Sequence, residues 1–177
     1  MTKVTGTRKE RANVISASEF EATLDKARQE SNQYNRLRAT AILCLFYLTG
    51  KRVKEISQLK QSDLAIRENY LCVTFTLAKK RKKQTLTVRR EKQIDLAEPY
   101  AQPIIEYWKW LSQNLPSNEW LFPSVRASPF SDALRFGDKH LSTRQLLRIV
   151  QRYNPSIWCH LFRETVGAKI VRADPTI

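Results

Sequence analysis

The chain has 177 residues, 42% of them hydrophobic and 27% charged, with only 4 glycines and 7 prolines; that balance supports one packed domain and excludes a largely disordered chain. Thirty-one lysines and arginines stand against 17 acidic residues, a net charge of +14. Like charges repel in a compact state, so such an excess points to a polyanionic partner, with nucleic acid first.

A membrane span is disfavoured: the longest apolar run, AILCLFYL, has eight residues, against roughly 20 for a spanning helix. The start, MTKVTGTRKERAN, is basic without the apolar stretch of a signal peptide, so the protein is expected in the cytoplasm, or wherever its host keeps DNA, and not secreted. Cys44, Cys72 and Cys159 have neither disulfide nor metal spacing and read as reduced core thiols.

Residues 1–14 are polar and basic and read as a flexible arm; residues 15–177 read as one mainly helical domain with a small antiparallel hairpin, an α+β architecture. In SASEFEATLDKARQE, Ser18 with Glu21 has capping-box spacing, and Phe20, Leu24 and Ala27 form an apolar stripe. YNRLRATAILCLFYLTG is a second, more buried helix stopped by Gly50 in a left-handed cap. In KRVKEISQLK a third, short helix places Val53, Ile56 and Leu59 on one side, with Arg52 in its first turn and Glu55 opposite the apolar face.

After Asp63 the period changes. NYLCVTFTL and QTLTVRREKQIDL, separated by AKKRKK, read as a β-hairpin with a strongly basic turn. Pro103 opens a helix with Ile104, Trp108, Leu111 and Leu115 on one face. PSNEWLFPSVRASPFSDALRFGDKH has no clear period and is expected as a surface loop pinned by Trp120, Leu121 and Phe122. Ser142 with Gln145 caps a helix along which Arg144, Arg148 and Arg152 form a basic ridge. A last helix starts near Ile157.

Two histidines and no clustered carboxylates argue against a divalent-metal centre, and no nucleophile elbow or phosphate loop is present. What remains is a set of cations: Arg52, a lysine of the 79–83 run, His160 and Arg163. Singly each has a plain structural reading, Arg52 with Glu55 as an exposed helical pair worth about 0.2–0.5 kcal/mol, the lysines as a solvated turn, His160 as a core histidine, Arg163 as a surface charge.

In sequence order they form T-G-x-R-x-x-E-x-x-x-L-x-x-x-D, then a basic hairpin, then H-x-x-R. The blocks LTGKRVKEISQLKQSDL (48–64), TLAKKRKKQTLTV (76–88), EWLFPS (119–124), LSTRQLLRIVQRY (141–153) and CHLFRETVGAKIV (159–171) together resemble the catalytic domain of the tyrosine recombinase, or phage integrase, family. The resemblance implies that Arg52 and Arg163 clamp the non-bridging oxygens of a scissile DNA phosphate and that His160 assists proton transfer. It also implies that a hairpin lysine protonates the leaving 5′-oxygen: Lys80, with Lys79 and Lys82 as alternatives. Glu55 and Asp63 take supporting positions. Lys79, Arg81, Lys82, Lys83, Arg144, Arg148 and Arg152 are expected to hold DNA backbone. Double-stranded DNA, with other recombinase subunits bound to it, is the implied partner, and no metal or other cofactor is implied. The chemistry is consistent with the residue types, since guanidinium is planar, always charged and able to bind two oxygens at once.

Two departures from the family pattern stand out. No tyrosine follows Arg163, so the nucleophile that forms the covalent bond to DNA is missing from these residues, and the chain is expected to be truncated and inactive by itself. Glu164 stands where the family commonly has histidine. The alternatives are a subunit that works with a tyrosine supplied in trans and a DNA-binding remnant without catalysis.

Overall fold

A computed structural model describes residues 14–81, 84–128 and 131–173. Six helices are named here: α1 (Ala17–Arg28), α2 (Gln33–Thr49), α3 (Val53–Ser57), α4 (Ala101–Asn114), α5 (Thr143–Tyr153) and α6 (Cys159–Ala173). Five strands form two antiparallel sheets, β1 (Leu64–Arg67), β2 (Tyr70–Arg81) and β3 (Gln84–Asp95) in one, β4 (Pro123–Ser128) and β5 (Ser131–His140) in the other.

The centre of the molecule is α2. A helix apolar all round can only be stable when covered on every side; its residues from Ala39 to Tyr47 are all buried, and α1, α4, α5 and α6 pack around it. Aromatic rings join the layers: Phe20 of α1 stacks on Tyr47 at 3.9 Å, and Phe46 on Phe162 of α6 at 5.4 Å. The chain enters this body at Ile15, whose N–H donates to the buried Thr165 hydroxyl at 3.0 Å. The basic arm expected over residues 1–14 lies, apart from Val14, outside the described residues. Among the described residues no helix is long and apolar enough to cross a membrane.

The mainly helical fold with a basic hairpin is as expected, and several local expectations are corrected. The cap of α1 is Ser16, which accepts from the Glu19 N–H at 3.1 Å, two residues before the expected Ser18; Ser16 and Glu19 have the same spacing, and Ser18 instead shares a hydroxyl hydrogen bond with Ser16. The hairpin is longer than expected. Lys79, Lys80 and Arg81 continue β2, paired with Leu86, Thr85 and Gln84, and Lys82 and Lys83 lie outside the described residues. The short strand β1, absent from the sequence reading, pairs along β2 from Leu64↔Val73 to Arg67↔Tyr70.

The expected loop over residues 116–140 contains the hairpin β4–β5 instead. Its register shifts between Pro123 and Val125 and again between Ala127 and Ser128. Those irregularities break the period-two pattern by which a strand is read from sequence. Residues 119–121 also join the first sheet region, since Gln61 N–H donates to Glu119 O, Leu121 N–H donates to Leu59 O, and Lys60 bridges Trp120. Helix α4 starts at Ala101, two residues before Pro103; a proline in the first turn loses no helical hydrogen bond.

Candidate phosphate-binding site

The site is built where the end of α2 turns into α3 and meets α6. Gly50 caps α2 in the left-handed conformation (φ +57°), with its N–H on Phe46 O at 2.9 Å. A side chain has no room here: a Cβ on Gly50 would stand 2.9 Å from Val166 Cβ and 3.3 Å from the Arg163 Cα. Glycine thus serves both backbone conformation and close approach of α6 to this turn.

Arg52 is the N-cap of α3, not a first-turn residue. Its backbone N–H donates to Glu55 Oε2 at 2.7 Å, while its C=O accepts from Glu55 N–H at 2.9 Å. Glu55 therefore holds the Arg52 backbone, and the exposed guanidinium has no ion-pair partner among the described residues. The isolated side-chain pair weighed from the spacing does not form.

On α6 the spacing does the positioning. Cys159, Phe162 and Thr165 face the core, so His160 and Arg163 share the opposite, exposed face. Arg163, like Arg52, has no ion-pair partner among the described residues. His160 Nε2 lies 3.2 Å from Glu164 Oε1 one turn on. This contact occupies the carboxylate with the imidazole rather than with Arg163.

Two adjoining cavities lie between these elements. One, of about 400 Å³, is lined by Gly50, Lys51, Arg52, Glu55, Arg90 and Arg163. The other, of about 580 Å³, is lined by Lys51, Arg52, Lys54, Cys159, His160 and Arg163. Arg52, Lys51 and Arg163 border both, so the two arginines and the histidine picked from the sequence share one basic concavity. Burial pushes the Cys159 thiol up to about 12, which leaves it a neutral part of the wall near neutral pH.

Arg90, Lys51 and Lys54 were missed from the sequence. Arg89 and Arg90 are adjacent and hence point to opposite faces of β3. Arg89 pairs with the buried Asp63 at 2.8 Å, and Asp63 also accepts from the Lys60 N–H at 2.9 Å. Arg90, opposite Phe75 in the register, turns to the cavity. Only the register separates the two, and single-sequence patterning does not supply it.

Lys80 and Lys79 are placed by backbone alone, on β2 near the hairpin end. Of the helical ridge, Arg144 and Arg148 are exposed, but Arg152 is committed to Glu30 at 3.2 Å and lies over the Tyr153 ring. No tyrosine lines either cavity. Tyr34, Tyr47, Tyr107 and Tyr153 are buried; Tyr107 donates to Leu121 O, Tyr153 to Glu30 and Tyr100 to Glu21. Burial raises the phenols of Tyr34, Tyr100, Tyr107 and Tyr153 above their ordinary value, the reverse of what an attacking phenolate needs. Tyr70 begins β2, at the end of the hairpin away from residues 82–83.

Helices wrapped around a buried α2 and a long hairpin thus surround one basic concavity, where Arg52 and Arg163 have no ion-pair partner among the described residues. Residues 13–175 match the Phage integrase family, and the chain belongs to that family. Among solved structures it is similar to the XerH site-specific recombinase bound to difH substrate in a pre-cleavage complex, with TM-score 0.62 and 16% identity over 92% of this chain and 44% of that one. It is similar too to XerH bound to palindromic difH substrate in a post-cleavage complex, with TM-score 0.60 and 16% identity over 91% of this chain and 42% of that one. The chain thus spans less than half the length of these two recombinase chains. No curated protein sequence matches it.

Proposed function

We propose that this chain is the phosphate-gripping part of a site-specific DNA recombinase, binding duplex DNA and holding one backbone phosphate for strand breakage and rejoining. The observation that carries the reading is the pair of uncommitted guanidiniums of Arg52 and Arg163 on one concavity. Two planar, permanently charged forks suit the equatorial oxygens of a phosphoryl group, on which negative charge builds in the transition state. His160, steadied by Glu164, is the proton-transfer group, and Lys80, with Lys79 and Lys82 as alternatives, the acid for the leaving 5′-oxygen.

Lys79, Arg81, Lys82, Lys83, Arg144 and Arg148 supply backbone attraction, with Arg152 contributing from its place beside Glu30. Lys51, Lys54 and Arg90 add to the same positive wall. The attacking tyrosine is not one of the six described above, so the site acts together with a tyrosine from outside residues 1–177, and other recombinase subunits on the same DNA are one source of it.

A complementation assay tests this. The chain is mixed with duplex DNA and a tyrosine-bearing recombinase subunit whose own clamp arginines have been replaced. Covalent protein–DNA adducts that disappear with Arg52→Ala or Arg163→Ala in this chain support the reading. DNA binding without adducts favours the second reading, a binding module, which the absence of a tyrosine at the cavity motivates. Absence of binding rejects both.

A further inference from the structure

The most solvent-exposed large apolar side chain among the described residues, Trp158 at 66% exposure, stands beside the phosphate site and is given no role by it. It directly precedes α6 and accepts the Leu161 N–H on its carbonyl at 2.9 Å. Three other helices of this chain have Ser16, Asn32 and Ser142 at that place, each with a side chain that caps the helix. An indole cannot accept such a bond. Nor does it pack into the core, while its neighbours Ile157 and Cys159 do. Such a residue, at a helix start where small polar residues are favoured, breaks a local rule in the way that residues at functional sites do.

Its surroundings say what it meets. Trp158 shares a crevice with His160, Leu161 and Glu164, and His160 also borders the Arg52–Arg163 concavity. The indole is therefore at the rim of a wall carrying Lys51, Arg52, Lys54 and Arg163, where a polyanion is drawn in. A DNA duplex offers, beside each phosphate, an apolar deoxyribose at its surface.

We propose that Trp158 packs against the deoxyribose of the nucleotide next to the gripped phosphate, adding a non-electrostatic contact that fixes where along the strand the arginines close. The contact rests on the DNA-binding reading above. The deoxyribose is the same at every nucleotide, so Trp158 is a positioning residue rather than a reader of sequence.

The test is binding of a short mixed-sequence duplex by the full chain over a range of salt, together with acrylamide quenching of tryptophan emission. Trp158 is the single exposed tryptophan; Trp108, Trp110 and Trp120 are half-buried. On DNA addition, quenching is expected to fall. Trp158→Ala is expected to weaken binding about fivefold or more with the salt slope unchanged, and Trp158→Phe to keep most of the affinity. Salt-dependent binding by the wild type with unaltered affinity in Trp158→Ala, or quenching equal with and without DNA, overturns the inference and leaves DNA binding intact. Failure of the wild type to bind overturns both.

Discussion

Gly50 and Val166 are in such close contact that a single added methyl group on the glycine would lie 2.9 Å from the valine Cβ. This contact presses α6 against the turn after α2, and so brings Arg163 to the same concavity as Arg52. The stability of the fold and the geometry of the candidate phosphate site meet at this point.

Gly50→Ala is therefore expected to destabilise the protein by about 2–5 kcal/mol, the sum of the left-handed backbone penalty and overpacking. Urea unfolding measures the loss. Adding Val166→Ala removes the Cγ2 contact at 3.0 Å but leaves the Val166 Cβ at 2.9 Å and the Arg163 Cα at 3.3 Å, so it should recover only a small part of the loss; a double variant as stable as the wild type would contradict both the overpacking and the backbone penalty.

Glu55 tests the distinction between a carboxylate that neutralises an arginine and one that holds its backbone. Glu55→Gln keeps an oxygen for the Arg52 N–H, and is expected to fold and bind DNA nearly as the wild type does. Glu55→Ala should cost about 0.5–2 kcal/mol, like other lost caps, and should weaken DNA binding even though it removes a negative charge. Tighter binding by Glu55→Ala would show that charge, not position, is what the residue contributes.

Arg152 is expected to differ from the other two ridge arginines. Arg152 is exposed but its partner Glu30 is largely buried and also accepts from Tyr153, so Arg152→Ala should lower stability by about 1 kcal/mol as well as DNA affinity. Arg144→Ala and Arg148→Ala should leave stability unchanged and weaken binding similarly on all sequences, with a shallower salt dependence.

Burial raises the thiols of Cys44 and Cys159, the latter to about 12. A group whose folded value is raised contributes stability that is complete below its unfolded value, about 8.5 for cysteine, and that is lost as pH climbs through the folded value. Unfolding midpoints should accordingly fall as pH rises above about 8.5. Alkylation of native protein near neutral pH should be slow at both residues and fast in urea.

Much of this was legible from the residues, for identifiable reasons. The helices of the core announce themselves through period and punctuation: Gly50 takes the left-handed cap, and Ser142 with Gln145 the capping box. Arg52, His160 and Arg163 were found by their order along the chain, although nothing in the spacing says that α6 folds back onto the turn after α2. That proximity is a tertiary fact, set by Phe162 stacking on Phe46 and by the missing side chain at Gly50. What was not legible depends on register. The bulged β4–β5 hairpin lacks clean alternation, and the different fates of Arg89 and Arg90 follow from which face of β3 each occupies.

The central claim is that Arg52 and Arg163 grip one and the same phosphate. The measurement that tests it most directly is a double-mutant cycle on DNA affinity with Arg52→Ala, Arg163→Ala and both together, over a range of salt. Each single change should weaken binding about tenfold or more, as expected for lost hydrogen bonds to a charged group. The double variant should fall short of the sum of the two losses, because the second arginine holds less once the first has released the phosphate. Singles that bind like the wild type, or losses that add fully, would contradict a shared phosphate.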